Sequence, residues 1–217
     1  MDDKNFDQRT AAEWIRIIED PSAVVRENDI YPLIRDWLDH SLAKNILDIG
    51  CGQGVCSAHL GNIQIQYVGI DPSSDLIFRA NELYAKPSRV FVKGNAYEIP
   101  FEDKHFCSVI SIAVWHLLND IEKASRELSR ILRTDGKYLI VTADPSQSQA
   151  WMDRYEKKEF DGPAFIGTTS NSDGTFTSDK LYLRSIDEIV AHLEVAGLTI
   201  SKIETIRSFV AIFGDKK

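Results

Sequence analysis

The first part of the chain shows a helical spacing of apolar residues. The segments 11–18 and 30–38 each place apolar side chains at the i, i+3 and i+4 positions that form one face of a helix. Asn28 or Asp29 is suited to cap the second helix, and Pro32 would lie in its first turn, where a missing N–H is tolerated. We therefore predict a cap of helices ahead of the main fold.

From residue 44 onward, short apolar runs alternate with amphipathic segments. Such alternation predicts a parallel sheet with helices packed on both faces. A last helix, 185–196, ends at Gly197 and leads into two final strands, which form an antiparallel hairpin. The predicted strands are 45–49, 66–70, 89–93, 107–112, 137–143, 199–205 and 207–213, and the other predicted helices are 54–60, 74–84 and 119–132.

The segment 144–184 interrupts this alternation. We predict a short helix within 151–160 and a β-hairpin within 165–177, whose Ser- and Gly-containing turn at 170–174 is expected to be a mobile flap. Together with the N-terminal helices, this insertion is expected to fold over the carboxyl ends of the strands as a lid. Its pocket would have aromatic walls from Tyr31, Trp151 and Tyr155.

The composition is that of a globular domain with one sizeable core, since 43% of the 217 residues are hydrophobic. We predict a single α/β domain that is doubly wound. Its parts are the helical cap 1–43, the core 44–143, the lid insertion 144–184 and the C-terminal part 185–217. The formal net charge of −8 argues against a nucleic-acid groove or a polybasic membrane surface, because both need clustered Lys and Arg.

The cysteines and the N-terminus indicate the compartment. Cys51, Cys56 and Cys107 fall in or beside predicted central strands, so they are expected to be buried apolar residues, with no disulfide and no metal site. The N-terminus is polar and acidic, unlike a signal peptide, and no apolar run approaches the roughly 18 residues of a membrane span. We therefore expect a cytoplasmic protein.

The most informative motif is ILDIGCGQG, from Ile46 to Gly54. A buried strand here enters a tight glycine turn, in which the backbone can adopt positive φ and approach a ligand closely. Asp48 can accept hydrogen bonds from a cationic amine. After the next strand comes Asp71, at the spacing where α/β folds of the dinucleotide-binding type place an acid against ribose hydroxyls. Helix capping is the alternative role, for which the following serines are better suited.

Three further motifs follow in order: GNAYEIPF at 94–101, AVWHLLND at 113–120 and ILRTDGKYLIV at 131–141. With the glycine loop, this set resembles the class I S-adenosylmethionine-dependent methyltransferases with a methyltransferase type 11-like domain. The resemblance covers residues 44–143 and, more weakly, 185–213. It implies a mostly parallel, seven-stranded Rossmann-like sheet whose last strand is antiparallel.

The resemblance also implies a cofactor and the residues that hold it. S-adenosyl-L-methionine would bind at the carboxyl ends of the strands, and S-adenosyl-L-homocysteine would be the product. Asn95 stands where the family commonly has Asp, and its oxygen would still accept a hydrogen bond from the adenine amine. The implied cofactor-binding residues are Asp48, Gly50, Cys51, Gly52, Asp71, Pro72, Asn95, Ala96 and Ala113.

The sequence narrows the methyl acceptor without identifying it. The Asn/Asp-Pro-Pro-Tyr signature of amide and adenine N-methyltransferases does not follow the fourth strand, and the Pro-Cys dipeptide of cytosine C5 enzymes is missing. With the acidic composition, this favours a small-molecule acceptor, without nucleic acid or membrane. We expect a monomer or homodimer. His116 is the candidate catalytic base by position, and a packing role is the alternative.

Two other functions remain open from the residues. A methyltransferase-like protein that binds the cofactor without turnover would keep the same loop positions. A NAD-dependent oxidoreductase would share the strand, the glycine loop and the second acid, but it normally has G-x-G-x-x-G, whereas Gly50 begins G-x-G-x-G and residue 55 is Val.

Overall fold

The computed structural model describes residues 10–20, 24–39, 45–60, 65–170 and 176–217. In these ranges the strands are β1 (Asn45–Ile49), β2 (Gln66–Asp71), β3 (Arg89–Lys93), β4 (Phe106–Ile112), β5 (Leu132–Ala143), β6 (Lys157–Asp161), β7 (Ala164–Ser170), β8 (Phe176–Leu181), β9 (Leu198–Ile206) and β10 (Phe209–Lys216). The helices are α1 (Ala11–Glu19), α2 (Tyr31–Asp39), α3 (Val55–His59), α4 (Ser74–Tyr84), α5 (Ile121–Ile131), α6 (Ser148–Met152) and α7 (Ile186–Val195).

Seven strands form the main sheet in the order β3-β2-β1-β4-β5-β10-β9. Strands β1 to β5 are parallel, and β10 runs antiparallel to both β5 and β9. The sheet is central because helices cover both of its faces, which explains the continuous apolar runs of β1 and β4. The predicted fold, a mostly parallel seven-stranded Rossmann-like sheet with an antiparallel last strand, is confirmed.

Two hydrophobic cores lie on opposite faces of this sheet. Ile46 of β1 points into the core that α2, α3 and α4 share, whereas the next residue, Leu47, points into the core of α5 and α7. Successive side chains of a strand face opposite sides, so a five-residue strand contributes to both cores. The register of β1 with its neighbours therefore fixes which residues reach the carboxyl end of the sheet.

The N-terminal helices differ from the prediction at their junction. No cap interrupts the chain at Asn28 or Asp29; a π-helical turn, Arg26–Ile30, runs directly into α2, and the Tyr31 N–H donates to the carbonyl of Arg26. Pro32 has no N–H to offer to the carbonyl four residues earlier, so a wider turn at this point loses no hydrogen bond.

Helix α1 is held at its ends by polar contacts. Thr10 caps it: the Glu13 N–H donates to the Thr10 hydroxyl at 3.3 Å, and the Thr10 N–H donates to the Glu13 carboxylate at 2.6 Å. Glu19 forms an ion pair with Arg79 of α4 at 3.6 Å and accepts a hydrogen bond from Gln53 at 3.3 Å. None of the residues of α1 is buried, so this helix lies on the surface of the fold.

The insertion contains a second sheet, with the order β6-β7-β8 and antiparallel pairing throughout. The predicted helix at 151–160 is wrong, because α6 ends at Met152 and β6 follows. Gly162, at φ +59°, supplies the positive φ of a two-residue hairpin turn between β6 and β7. The predicted hairpin is present as β7 and β8, and the predicted flap at 170–174 falls almost entirely outside the described residues.

The second sheet contacts the segment that follows β4. The Tyr182 N–H donates to the carbonyl of His116 at 2.7 Å, and Arg184 donates to the carbonyls of Leu118 and Asn119. Thr177 of β8 also donates to Glu13 of α1. The insertion is therefore attached at the carboxyl end of the main sheet.

No helix in the described ranges is both long enough and apolar enough to cross a bilayer.

Candidate functional site

A cavity of about 790 Å³ opens at the carboxyl ends of β1 to β4. The loops after these strands form its floor, and α1 with the π-helical turn forms one wall through residues such as Trp14 and Ile18. Ligands of open α/β sheets bind in this place, beside the point where strand order reverses. All residues that the resemblance implies for the cofactor line this cavity: Asp48, Gly50, Cys51, Gly52, Asp71, Pro72, Asn95, Ala96 and Ala113.

The glycine loop presents bare backbone to the cavity. The N–H groups of Gly50 and Cys51 both donate to the carbonyl of Ile70, at 2.8 and 2.9 Å, which fixes the loop to β2. A Cβ on Gly50, whose φ is +74°, would lie 2.3 Å from the Cγ2 of Val114, so only glycine fits. A Cβ on Gly52 would meet no atom within 4 Å, because that position faces open space.

Asp71 fastens the glycine loop to the start of α4. Its Oδ2 accepts from the Gly52 N–H and its Oδ1 from the Ser73 N–H, both at 2.9 Å. Burial raises the pKa of this carboxyl to about 6, against the lowering effect of the two N–H donors. Each oxygen keeps a second lone pair, so the carboxylate can still accept two hydroxyl groups. Ser73 caps α4, as the sequence indicated.

Asp48 is a buried carboxylate with one oxygen unsatisfied. It is 1% exposed; Oδ2 accepts from the hydroxyl of Tyr67, and Oδ1 has no hydrogen-bond partner among the described residues. Burial raises the pKa of Asp48 to about 7, and the nearby Asp71 contributes in the same direction. A buried orphan acceptor of this kind is costly unless a ligand completes it. An ammonium group fits, and this supports the methionine end of the implied cofactor.

Asn95 has a different role from the one expected for its oxygen. Its Oδ1 accepts from the N–H groups of Tyr97 and Glu98, at 2.8 and 3.0 Å, and so closes the turn after β3. Both lone pairs of this oxygen are engaged, so an adenine amine would need another acceptor. Ala113 holds a left-handed φ of +59°, a strained conformation for a residue other than glycine and one that is common at functional sites.

His116 lies behind the cavity wall and is not one of the lining residues. The side chain is 6% exposed; its Nδ1 accepts from the Ala143 N–H at 3.2 Å and lies 3.1 Å from the Thr142 hydroxyl. Burial, helped by the positive charge of Arg26, lowers the pKa of His116 to about 4, so the imidazole is neutral at pH 7. The ring packs against Trp151, with 5.6 Å between ring centroids.

The aromatic residues expected in the pocket divide into two groups. Tyr31 lines the cavity and stacks on His59 with ring centroids 4.5 Å apart. Trp151 is buried instead against Phe209 and donates to a backbone carbonyl at 2.9 Å, and Tyr155 donates to Asp179 inside the insertion. In contrast to the expected lid, the described part of the insertion contributes no lining residue, whereas the N-terminal helices do line the cavity.

Arg26 and Gln53 line the cavity without having been predicted from the sequence. Gln53 is buried, and its side-chain oxygen has no hydrogen-bond partner in the described chain. The helical pattern around Arg26 does not distinguish it from an exposed surface arginine, and only the turn that carries it brings it inward.

Comparison with known proteins shows similarity to methyltransferases. Residues 47–140 match the family model described as methyltransferase domain. A fatty-acid O-methyltransferase of Mycolicibacterium smegmatis is 32% identical over 104 residues, which are 47% of this chain and 38% of that protein. The chain thus spans well under half the length of this curated relative.

Solved structures share the fold over most of the chain. The PH0226 protein of Pyrococcus horikoshii superposes with a TM-score of 0.80 at 20% identity, covering 94% of this chain and 99% of that one. The 1,6-didemethyltoxoflavin-N1-methyltransferase of Burkholderia thailandensis, solved with bound S-adenosylhomocysteine, has a TM-score of 0.61 at 14% identity, covering 95% and 87%. Fold, motifs and family match agree: residues 47–140 form a methyltransferase domain, and the chain is similar to the class I S-adenosylmethionine-dependent methyltransferases.

Proposed function

We propose that this chain transfers a methyl group from S-adenosyl-L-methionine to a small-molecule acceptor. The observation that carries the proposal is buried Asp48, which lines the same cavity as Gly52 and Asp71 and whose Oδ1 has no hydrogen-bond partner among the described residues. These groups suit an ammonium, a thioether or sulfonium chain, and a ribose, in this order along the strand ends.

The proposed chemistry is an in-line displacement. When bound, the cofactor supplies a methyl group activated by its sulfonium. The protein holds this group in place through the loops after β1 and β2, and α1 excludes water from one side of the cavity. Alignment and water exclusion are the main contributions that such a reaction requires of a protein.

The walls left for the acceptor are mainly apolar. Trp14, Ile18, Tyr31 and Leu117 are among the residues that line the cavity. Because His116 lies outside the lining, the acceptor atom would need to be nucleophilic at working pH without that imidazole as base. We therefore favour a small, largely apolar acceptor.

The net charge and the free cysteines support our expectations about the acceptor and the cellular location. The net charge of −8 supports an acceptor other than nucleic acid or an anionic membrane. Cys51, Cys56 and Cys107 are free thiols, which suits a cytoplasmic location. A monomer or homodimer remains our expectation.

S-adenosylmethionine and S-adenosylhomocysteine should each raise the melting temperature, and NAD should leave it unchanged. A ligand that binds only the folded state stabilises it by about 2.7 kcal/mol at one hundred times its Kd. Differential scanning fluorimetry with the three ligands measures this. A melting temperature that rises with NAD and is insensitive to both sulfur ligands would contradict the proposed function.

Incubation with radiolabelled S-adenosylmethionine and a panel of metabolites then separates catalysis from binding alone. Transfer of label to any metabolite supports the enzyme. Saturable cofactor binding without transfer across a panel that includes carboxylic acids, phenols, amines and thiols would favour the non-catalytic alternative.

We further propose that His116 positions the segment after β4 rather than acting as a base. Its Nδ1 holds the end of β5 through the Ala143 N–H, and its carbonyl holds Tyr182 of the insertion. His116→Asn places an acceptor near the position of Nδ1 and removes the imidazole. Turnover of the identified acceptor should stay within about threefold of wild type, since proton transfer by a positioned base typically contributes about 100-fold or more. A loss of turnover of that size at unchanged melting temperature would show instead that His116 acts as the catalytic base.

A further inference from the structure

The π-helical turn places one guanidinium at the cavity. Arg26, the first residue of the turn, is the only Lys or Arg among the described lining residues. Within the described part of the chain no carboxylate lies within 4.0 Å of this guanidinium, although other arginines, such as Arg79 and Arg130, have such partners. Burial lowers the pKa of Arg26, as expected for a cation that has lost water without gaining an anion.

The cavity is therefore lined by an acidic and a basic side chain, each of which lacks a partner of opposite charge among the described residues. Asp48 has an orphan oxygen, and Arg26 has no ion-pair partner among the described residues. Tyr31 is hydrogen-bonded to Arg26 across the π turn and packs in the same core cluster as Tyr67, whose hydroxyl donates to Asp48, so Arg26 and Asp48 line the same end of the cavity. An ammonium and a carboxylate carried on one carbon atom, as in an α-amino acid, would complete both groups at once.

We propose that Arg26 binds the α-carboxylate of the methionine moiety of the cofactor, an inference that rests on the proposed function. The planar guanidinium offers paired N–H donors that match the two oxygens of a carboxylate. Asp48 takes the ammonium on the adjacent side. The acceptor is the other possible source of a carboxylate, and the proximity of Arg26 to the Asp48 end favours the cofactor.

This assignment gives the unusual turn a function. A regular α-helix has 3.6 residues per turn, and the wider π turn rotates the residues before it relative to those of α2. Arg26 precedes Tyr31 by five residues, and both side chains line the cavity. The turn thus lets one helical segment present a cation and a phenol to the same ligand.

Isothermal titration of two ligands tests the assignment. S-adenosylmethionine and decarboxylated S-adenosylmethionine differ only in the carboxylate, so they are titrated into wild type, Arg26→Gln and Arg154→Gln. Arg154 is the matched control, because its charge also acts on His116 while its side chain lies outside the cavity lining, over the ring of Trp151. Arg26→Gln should weaken S-adenosylmethionine binding by about 10- to 100-fold, the effect of a lost charge-assisted hydrogen bond.

The decarboxylated ligand should bind Arg26→Gln and wild type within threefold, and Arg154→Gln should match wild type for both ligands. Arg26→Lys keeps the charge without the paired donors, so it should show an intermediate loss confined to S-adenosylmethionine. This variant also decides the question if Arg26→Gln does not fold.

Three results would overturn the assignment while leaving the proposed function standing. They are unchanged S-adenosylmethionine affinity in Arg26→Gln, an equal loss for both ligands, and an equal loss in the Arg154→Gln control. Unchanged cofactor affinity together with weakened binding of a carboxylic acid acceptor would assign Arg26 to the acceptor. Failure of the wild-type protein to bind S-adenosylmethionine would instead refute the proposed function.

Discussion

Replacing Asp71 with alanine is expected to weaken S-adenosylhomocysteine binding by about 30- to 150-fold, or roughly 2–3 kcal/mol. The two ribose hydroxyls would lose the carboxylate that accepts their hydrogen bonds, and the glycine loop would lose its attachment to Asp71. Gly52 and Ser73 both donate to Asp71 in the structure. Isothermal titration of the variant and wild type measures the change in affinity.

The same substitution should also lower stability at about pH 5, where burial keeps the Asp71 carboxyl largely uncharged, a loss that the sequence alone did not indicate. Two backbone N–H groups lose their acceptor, and an unsatisfied group of this kind costs about 1–3 kcal/mol when it stays buried. Urea unfolding of the ligand-free variant measures this loss. Glu82→Ala, which removes an exposed carboxylate from α4, serves as the control and should change neither quantity. Unchanged affinity in Asp71→Ala would mean that Asp71 only shapes the turn.

Replacing Asp48 with asparagine should stabilise the ligand-free protein and weaken its binding of cofactor. Burial raises the pKa of Asp48 from 3.8 to about 7, so the ionised carboxylate destabilises the empty fold at pH 8, by an amount on the order of 4 kcal/mol. Asparagine keeps the acceptor for Tyr67 without the charge. The loss of a charge-assisted contact to the ammonium should weaken binding by about 10- to 100-fold.

The pH dependence of stability has a definite sign. Between about pH 4 and pH 7 the folded protein holds a proton on Asp48 that the unfolded chain has released, so stability falls as pH rises through this window. The gain in melting temperature of Asp48→Asn over wild type should therefore be small at pH 4 and largest at pH 8. Asp71 acts in the same direction in both proteins, so comparing the two isolates Asp48.

Cofactor affinity should show the opposite trend with pH. The wild-type affinity for S-adenosylmethionine should rise from pH 5.5 to pH 7.5, because the ammonium pairs with the ionised carboxylate, and Asp48→Asn should keep only the weaker dependence that the ionisation of Asp71 causes. Tyr67→Phe provides a further test, since the Tyr67 hydroxyl lowers the pKa of Asp48. Its removal should move the rise to higher pH. Titrations in which wild type and Asp48→Asn vary identically with pH would contradict this account.

Much of the main sheet was predictable because its strands are buried on both faces. A mostly apolar run such as Ile46–Ile49 is typical of a strand buried on both faces, and the glycine loop marks the end of this strand. Positive φ at Gly50 and Gly52 leaves glycine as the favoured residue, so the cavity floor was also apparent from the sequence.

Other features depend on contacts that the sequence does not display. Strand β6 is exposed along its whole length, so no hydrophobic alternation marks it, and it exists through its pairing with β7. The position of His116 gave no indication that its Nδ1 would be engaged by Ala143. Arg26 reaches the cavity through a π-helical turn, which local propensity does not specify.

Helix α1 also has a consequence for the timing of each catalytic cycle. It forms a wall of the cavity, yet it has no buried residue and is attached through polar groups at its surface, including Glu19 with Arg79 and Glu13 with Thr177. An exposed ion pair contributes about 1 kcal/mol or less, so thermal motion displaces such a helix readily. We therefore expect the residence time of the demethylated product, and with it the turnover rate, to depend on how often α1 moves away from the cavity.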